Sequence, residues 1–240
     1  MKHTEYFKVN SHETDYNGIV RPSCVMRYMQ ETANLQFNSF HPTLYELNED
    51  NKSFLLSRSN MSIYSPLHNF DNIKVESWAC EGKGATYLRC GRIYRDDVIV
   101  AEIITNWALV DRVNQRFIRQ GEIEFEFGTD EPLELDMPRR ITIPIDLDLT
   151  LVGERTIYYG DVDLYGHMNN TNYPDMLCAF LPSLKGKMVV RCAISFLHDA
   201  PLGETVKVYL GVDSDTYYFR TVKEDGTVGV EAEIVLEDIG

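Results

Sequence analysis

The sequence predicts a duplicated α+β protein, an antiparallel sheet wrapped around a central helix, twice over. Three observations carry that expectation. Asp15-Tyr16-Asn17-Gly18-Ile19-Val20 is matched 148 residues later by Asp163-Leu164-Tyr165-Gly166-His167-Met168, with Asp and Gly in register. Each copy follows a β-like run and leads into a helix-like one. In each half, four further strand-like segments come after the helix.

Taken in order, Tyr6–Val9 reads as a short strand and Asp15–Gly18 as a turn, where Asn17-Gly18 readily supplies positive φ. A helix is expected from Pro22 to Phe40. Pro22 suits a first-turn position, and Ser23 is expected to help satisfy the free N–H groups. Val25, Met29, Ala33 and Phe37 recur every four residues with Met26 beside them, giving one apolar face. Ser53–Ser65, Ile73–Glu81, Thr86–Arg95 and Ile99–Asp111 are rich in Val, Ile, Tyr and Trp and are separated by polar turns, which predicts strands. The second half repeats the plan: strand Glu154–Gly160, the Asp163–Gly166 turn, and a shorter helix over Thr171–Phe180 with Pro174 in its first turn. Strands are expected at Met188–Leu197, Thr205–Val212, Tyr217–Lys223 and Thr227–Glu237. Past the helix the offset between copies narrows to 133, laying Ser62–Pro66 over Ser195–Asp199, as a shorter second helix and loop require. Residues 112–150, charged and punctuated by Pro132, Pro138 and Pro144, read as a connection with a helical turn at Glu122–Phe127. The expected units are residues 1–128, a linker at 129–150, and residues 151–240.

Composition narrows the function. An apolar share of 44% with 25% charged residues supports a full core. The N-terminus has no apolar signal core and no apolar run nears the ~20 residues of a membrane helix, so a cytoplasmic protein is expected. The net charge of −14 argues against nucleic acid or an anionic membrane as partner. Acidity is concentrated late: 14 Lys/Arg face 17 Asp/Glu in residues 1–128, against 9 and 20 in residues 129–240. Five cysteines, odd in number and without CxxC pairing, read as reduced and mostly buried, not as a zinc site or disulfide framework.

The residues that set the halves apart are candidates for chemistry. His167 stands where the first copy has Ile19, and Asp199 where it has Pro66, so an acid-base pair belongs to the second copy alone. Asp163 has its counterpart in Asp15, so closing the turn explains both, and a share in the site is the alternative. On a regular strand Ser195, Leu197 and Asp199 would share one face and His198 the other. Asn169 and Asn170 stand where a helix begins, as caps or as amides that hold a carboxylate or carbonyl. Tyr165 can point its hydroxyl into a site or pack. Met26, Met29, Ala33 and Phe37 are core by default.

Tyr28-Met29-Gln30-Glu31-Thr32-Ala33-Asn34 resembles the first-helix signature of acyl-acyl carrier protein thioesterases. Trp107-Ala108-Leu109-Val110-Asp111, with Arg116 and Arg119 beyond, is similar to the strand end and basic exit of the family's first domain. Asp163 to Tyr173 resembles its catalytic segment, Asp-x-Asn-x-His-x-Asn-Asn. The resemblance implies a tandem double hotdog fold, two antiparallel sheets each wrapped around a central helix. The acyl pocket would lie in the first domain, lined by Met26, Met29, Ala33 and Phe37 with Tyr165, and the catalytic groups Asp163, His167, Asp199, Asn169 and Asn170 in the second. It implies hydrolysis of the thioester between a fatty acyl chain and the phosphopantetheine arm of acyl carrier protein, without metal or redox cofactor. Pairing of two chains is common in the family.

Two positions depart from the family's pattern. Tyr165 replaces an Asn, and Ala200 stands where plant members have Cys, so no thiolate nucleophile is possible there. Two other readings follow. Glu13 to Val20 resembles the active segment of hydroxybenzoyl-CoA-type thioesterases, which would place a site for CoA esters at Asp15. A non-catalytic acyl-binding double hotdog is the third.

Overall fold

The computed structural model describes residues 1–135 and 140–239, so Pro138 lies outside the described residues. The first half contains β1 (His3–Lys8), α1 (Pro22–Asn38), α2 (Leu44–Glu49), β2 (Lys52–Ile63), β3 (Asn72–Cys80), β4 (Thr86–Arg95), β5 (Val98–Asp111) and β6 (Arg116–Ile118). The second contains β7 (Thr150–Thr156), α3 (Tyr173–Cys178), β8 (Lys187–Phe196), β9 (Thr205–Asp213), β10 (Thr216–Val222) and β11 (Val228–Asp238). The protein is mostly antiparallel sheet with few helices.

The expectation of two sheets needs correction. Among the described residues all the strands belong to one 11-stranded sheet in the order β1-β3-β4-β5-β2-β8-β11-β10-β9-β7, with β6 attached to β5. Read from its two ends inward, that order is the same: β1, β3, β4, β5, β2 from one side and β7, β9, β10, β11, β8 from the other. The halves meet where β2 pairs with β8, and the register is self-complementary. Asn60 pairs with Ala193, its own counterpart at the offset of 133, while Arg58 faces Ser195 and Ser62 faces Arg191. Each half would otherwise leave an edge strand unpaired, so joining the two edges removes that exposure.

The duplication extends to single hydrogen bonds. In the first copy Asp15 N–H donates to Ile19 O (2.8 Å), Gly18 N–H to Asp15 O (3.0 Å), Val20 N–H to Leu67 O (2.9 Å) and Arg21 N–H to Glu13 O (3.0 Å). In the second, Asp163 N–H donates to His167 O (2.9 Å), Gly166 N–H to Asp163 O (3.0 Å), Met168 N–H to Ala200 O (2.8 Å) and Asn169 N–H to Asp161 O (2.8 Å). Gly18 and Gly166 both adopt positive φ, +74° and +77°. Past β2 and β8 a second motif recurs: Tyr64 and Ser65 both donate to Val100 O, as Leu197 and His198 both donate to Gly229 O.

α1 ends two residues earlier than expected, and Ser23 does not serve as its cap. Its N–H and hydroxyl donate instead to Asp175 on α3, at 3.0 and 2.5 Å, with Arg21 3.3 Å from the same carboxylate. A carboxylate from the second half thus satisfies donors at the start of the first half's helix. The second central helix is a six-residue α3 behind a 3-10 turn at Asn170–Asn172. Leu177 packs at its centre with no exposure.

The strand expected at Glu154–Gly160 lies earlier, as β7, and ends before a 3-10 turn at Tyr159–Asp161. Besides that turn and another at Ser11–Glu13, two elements were not expected. β6 is one. The other is α2, whose capping box is written in Thr43-Leu44-Tyr45-Glu46: Glu46 N–H donates to Thr43 Oγ1 (3.1 Å) and Thr43 N–H to Glu46 Oε2 (2.8 Å). The helical turn expected at Glu122–Phe127 is absent. There Phe125 and Phe127 stack on each other and pack edge-on to Phe37. The described part of 129–150 lies against the sheet: Trp78 Nε1–H donates to Glu131 O (2.8 Å), and Leu133 joins Trp78, Cys80, Cys90 and Ile104 in a second core cluster. Arg140, beside Arg220, reaches the carboxylate of Glu231, itself only 3% exposed. All five cysteines are free, and four are buried.

The cross-half cap has a measurable cost of removal. Asp175→Ala leaves the Ser23 donors and Arg21 without their carboxylate. The expected loss in urea unfolding is about 2 kcal/mol, the range of a hydrogen bond to a charged group. The exposed control Asp146→Ala is expected to stay within about 0.5 kcal/mol of the parent.

Candidate active site

Two cavities lie where helix, turn and sheet meet. The larger, about 1010 Å³, draws on both halves. From α1 come Met26, Met29, Ala33 and Phe37, and from the second half Asp163, Tyr165, His167, Asn169, Asn170 and Asp199. Every residue that the resemblance to acyl-acyl carrier protein thioesterases implied as substrate-binding or catalytic therefore borders the same space. Leu44, Tyr45 and Leu47 of α2, together with Phe54, Tyr87, Trp107, Arg112 and Phe125, complete much of its wall.

His167 is aimed by the turn that precedes it. Its carbonyl accepts from Asp163 N–H, and the next residue is fixed by Ala200 O. The imidazole Nδ1 lies 3.6 Å from Asp199 Oδ2, within ion-pair range but too long for a hydrogen bond. Among the described residues, neither Asp199 oxygen nor His167 Nε2 has a hydrogen-bond partner. Both groups are partly open to solvent, so a water can reach them.

The strand before Asp199 does not alternate regularly to its end. β8 stops at Phe196, and the double donation of Leu197 and His198 to Gly229 O breaks the phase. Ser195 Oγ accepts from Ile141 N–H in the connection, and Ser195 does not border the cavity that Asp199 lines. His198 turns instead to Val228 O (2.9 Å) and stays out of the cavity.

Asp163 closes its turn, accepting Tyr165 N–H at 2.9 Å, just as Asp15 accepts Asn17 N–H at 2.7 Å. It borders the cavity while acting on His167 through the backbone. Asn169 caps the 3-10 turn, its Oδ1 accepting from Thr171 N–H (3.0 Å) and Thr171 Oγ1–H (2.8 Å). The Asn170 amide has no hydrogen-bond partner among the described residues. N–H groups just after His167 are less open than a helix start suggests, since Met168 and Asn169 donate to Ala200 O and Asp161 O. Across 163–172, the N–H groups of Leu164, His167 and Asn170 remain without a described acceptor.

Three neighbours add to the site. Tyr173 is buried behind Asp199, and burial first, then the charges of Asp199 and Glu204, push its phenol well above the ordinary range. Arg112 lies over the Tyr165 ring at 5.5 Å and donates to Asn48 Oδ1 (2.8 Å). Arg27 on α1 holds Asn172 and so braces the segment from behind. Arg27 was hidden because its partner lies 145 residues away.

The smaller cavity, about 600 Å³, borders Asp15, Ile19 and Pro66, the counterparts of Asp163, His167 and Asp199, and no histidine lines it. Its turn is clamped by the other half: Asn17 Nδ2–H donates to Leu184 O (2.7 Å) and Lys187 O (3.2 Å), and Gly186 N–H donates to Asn17 Oδ1 (3.0 Å). Among the described residues no cluster of three His, Cys, Asp or Glu is placed to hold a metal. No helix among them is long and apolar enough to cross a membrane.

No family model matches the sequence, and no curated protein matches it. Solved structures do. An acyl-ACP thioesterase from Bacteroides thetaiotaomicron superposes with a TM-score of 0.89 at 18% identity, covering 98% of each chain. An oleoyl thioesterase from Lactobacillus plantarum gives 0.82 at 15% identity, over 100% of this chain and 97% of that one. The 12:0-ACP thioesterase from Umbellularia californica gives 0.80 at 12%, over 99% and 97%. At these identities the likeness is one of fold, and it extends over nearly the whole length.

The two asparagines are separable by experiment. Asn169→Ala is expected to lower stability by about 1 kcal/mol through loss of the cap. Asn170→Ala is expected to leave the unfolding midpoint within error, which chemical denaturation of the two variants side by side will show.

Proposed function

We propose that this chain is a thioesterase of tandem double hotdog architecture that hydrolyses fatty acyl-acyl carrier protein to free fatty acid. In this reading it serves fatty acid biosynthesis in the cytoplasm. Residues 1–128 supply the acyl pocket and residues 151–240 the catalytic groups, with 129–150 between them. The observation that carries the reading is the single cavity that runs from the His167–Asp199 pair to the apolar side chains of α1. A thioester carbonyl at the pair leaves its acyl chain in that apolar space. The whole-length likeness to acyl-ACP thioesterases supports the same conclusion.

The reaction needs an activated water, donors for the developing oxyanion, and little else, since a thiolate leaves readily. Asp199 and His167 hold a water between them, and its proton passes to the imidazole as the oxygen attacks the carbonyl carbon. The His167 and Asn170 N–H groups and the Asn170 amide are the donors available for the oxyanion. Collapse breaks the C–S bond, and the proton on His167 goes to the departing thiolate. Asp163 and Asn169 are positioning residues, one fixing the turn and the other the segment after it. Met26, Met29, Ala33 and Phe37 contact the chain, and Tyr165 stands at the mouth beside Arg112.

The arm of acyl carrier protein bears a phosphate, and Arg112 is placed to meet an anion at that mouth. Arg116 is less available, being paired with Glu122 at 2.7 Å. Because the carrier is acidic, its turnover is expected to fall with salt more than that of a CoA ester.

His167→Ala and Asp199→Asn are each expected to lower kcat about 10²- to 10⁴-fold with acyl-acyl carrier protein. Asp15→Asn keeps an acceptor oxygen for its turn and is expected to retain turnover. The opposite pattern would move the site to Asp15 and CoA esters, and no hydrolysis by the parent protein would leave an acyl-binding role. A single turnover in heavy-oxygen water tests for direct attack by the carboxylate: label found on Asp199 would replace the water mechanism with an anhydride.

A further inference from the structure

The wall of the larger cavity is not apolar throughout. On β4, Tyr87, Arg89 and Gly91 alternate onto the side that faces α1, where a Cβ on Gly91 would lie 3.2 Å from Met29 Sδ. Arg89, 8% exposed, borders the cavity. Its Nε–H donates to Ser77 Oγ (2.9 Å) and one Nη2–H to Gln36 Oε1. The rings of Phe37 and Phe127 lie 5.4 and 5.9 Å from the guanidinium carbon. Both hydrogen-bond partners are neutral. Among the described residues no carboxylate pairs with Arg89, and Nη1 has no acceptor. Burial brings its pKa down to about 10, so the group is still charged at neutral pH.

A second polar group nearby is also unmatched. The Tyr87 hydroxyl is buried and has no hydrogen-bond partner among the described residues, while its ring packs edge-on to Phe54 and Phe125. Two residues apart on one strand face, these side chains offer a charged N–H donor and a phenolic O–H to the same aromatic-walled space. A buried cation without a counter-charge is costly, and an alkyl chain lying against it would exclude water and return nothing. What the place lacks is an acceptor oxygen.

We infer that the acyl chain this protein takes carries an oxygen function away from its thioester, a hydroxyl, oxo or carboxyl group, bound by Arg89 and Tyr87. This rests on the thioesterase reading of the cavity and names its substrate class. A site that hydrogen-bonds an oxygen discriminates against a chain without it, because its donors are then buried unpaired.

The test compares acyl carrier protein thioesters of equal chain length, either plain or oxygenated at successive carbons. For at least one oxygenated chain, kcat/KM is expected to exceed that of the plain chain by about 10- to 100-fold, the range of a hydrogen bond to a charged group. Arg89→Met and Tyr87→Phe are each expected to reduce that ratio, Arg89→Met the more. If Arg89→Met fails to fold by circular dichroism, Tyr87→Phe carries the comparison alone. A preference for the carboxyl arm identifies an anion, and for the hydroxyl or oxo arm a neutral acceptor. Calorimetry with the free oxygenated and plain fatty acids gives a readout independent of hydrolysis. Plain chains hydrolysed as well as every oxygenated one would overturn the inference and leave the thioesterase reading intact. No hydrolysis of any thioester, with Arg89-dependent binding of an oxygenated acid, would do the reverse.

Discussion

The pairing of β2 with β8 is the constraint on which the rest depends. Each strand is the edge of its own half, and the ladder between them is centred on equivalent residues, Asn60 and Ala193. Slipping by one residue would turn every side chain of one strand to the wrong face of the sheet, so the register is firmly specified. With that register set, Asp175 can meet the start of α1, Arg27 can reach Asn172, and residues 184–187 can clamp Asn17. The cavity exists only because the two halves are held in this relation. Its apolar wall comes from one half and its acid-base pair from the other.

Most strands were legible because β-branched and aromatic runs between polar turns point to little else. The helix of the first half was clear from its four-residue apolar repeat and from Pro22. What escaped depended on partners distant in sequence. Ser23 looked like a cap, yet a carboxylate 152 residues away takes its hydrogen bonds. Phe125 and Phe127 suggested a helical turn, yet they fold back onto Phe37. A sequence pattern also cannot reveal that two sheets fuse into one, since that is a property of their edges. α2 was a different kind of miss, because its Thr43–Glu46 capping box is local and readable.

For the site, contrast between copies was the useful signal. Aligning the repeats isolated His167 and Asp199 as titratable residues whose counterparts, Ile19 and Pro66, are apolar, and the structure puts them 3.6 Å apart. Shared positions were less informative. Asp163 and Asp15 both close turns, so identity there reports backbone geometry first. Polar residues in the cavity wall were harder still. Arg89 and Tyr87 sit in an ordinary-looking strand, and only their burial and missing partners set them apart.

The doubled donation to one carbonyl after β2 and after β8 has a wider meaning. The kink that swings Asp199 toward the imidazole exists in the other half too, where it delivers Pro66 beside Ile19. Aim and reach were therefore inherited by both copies, and only the chemical cargo differs. In this duplicated frame His167 and Asp199 are set apart from Ile19 and Pro66 by their side chains, while the turn and kink that carry them recur in both halves.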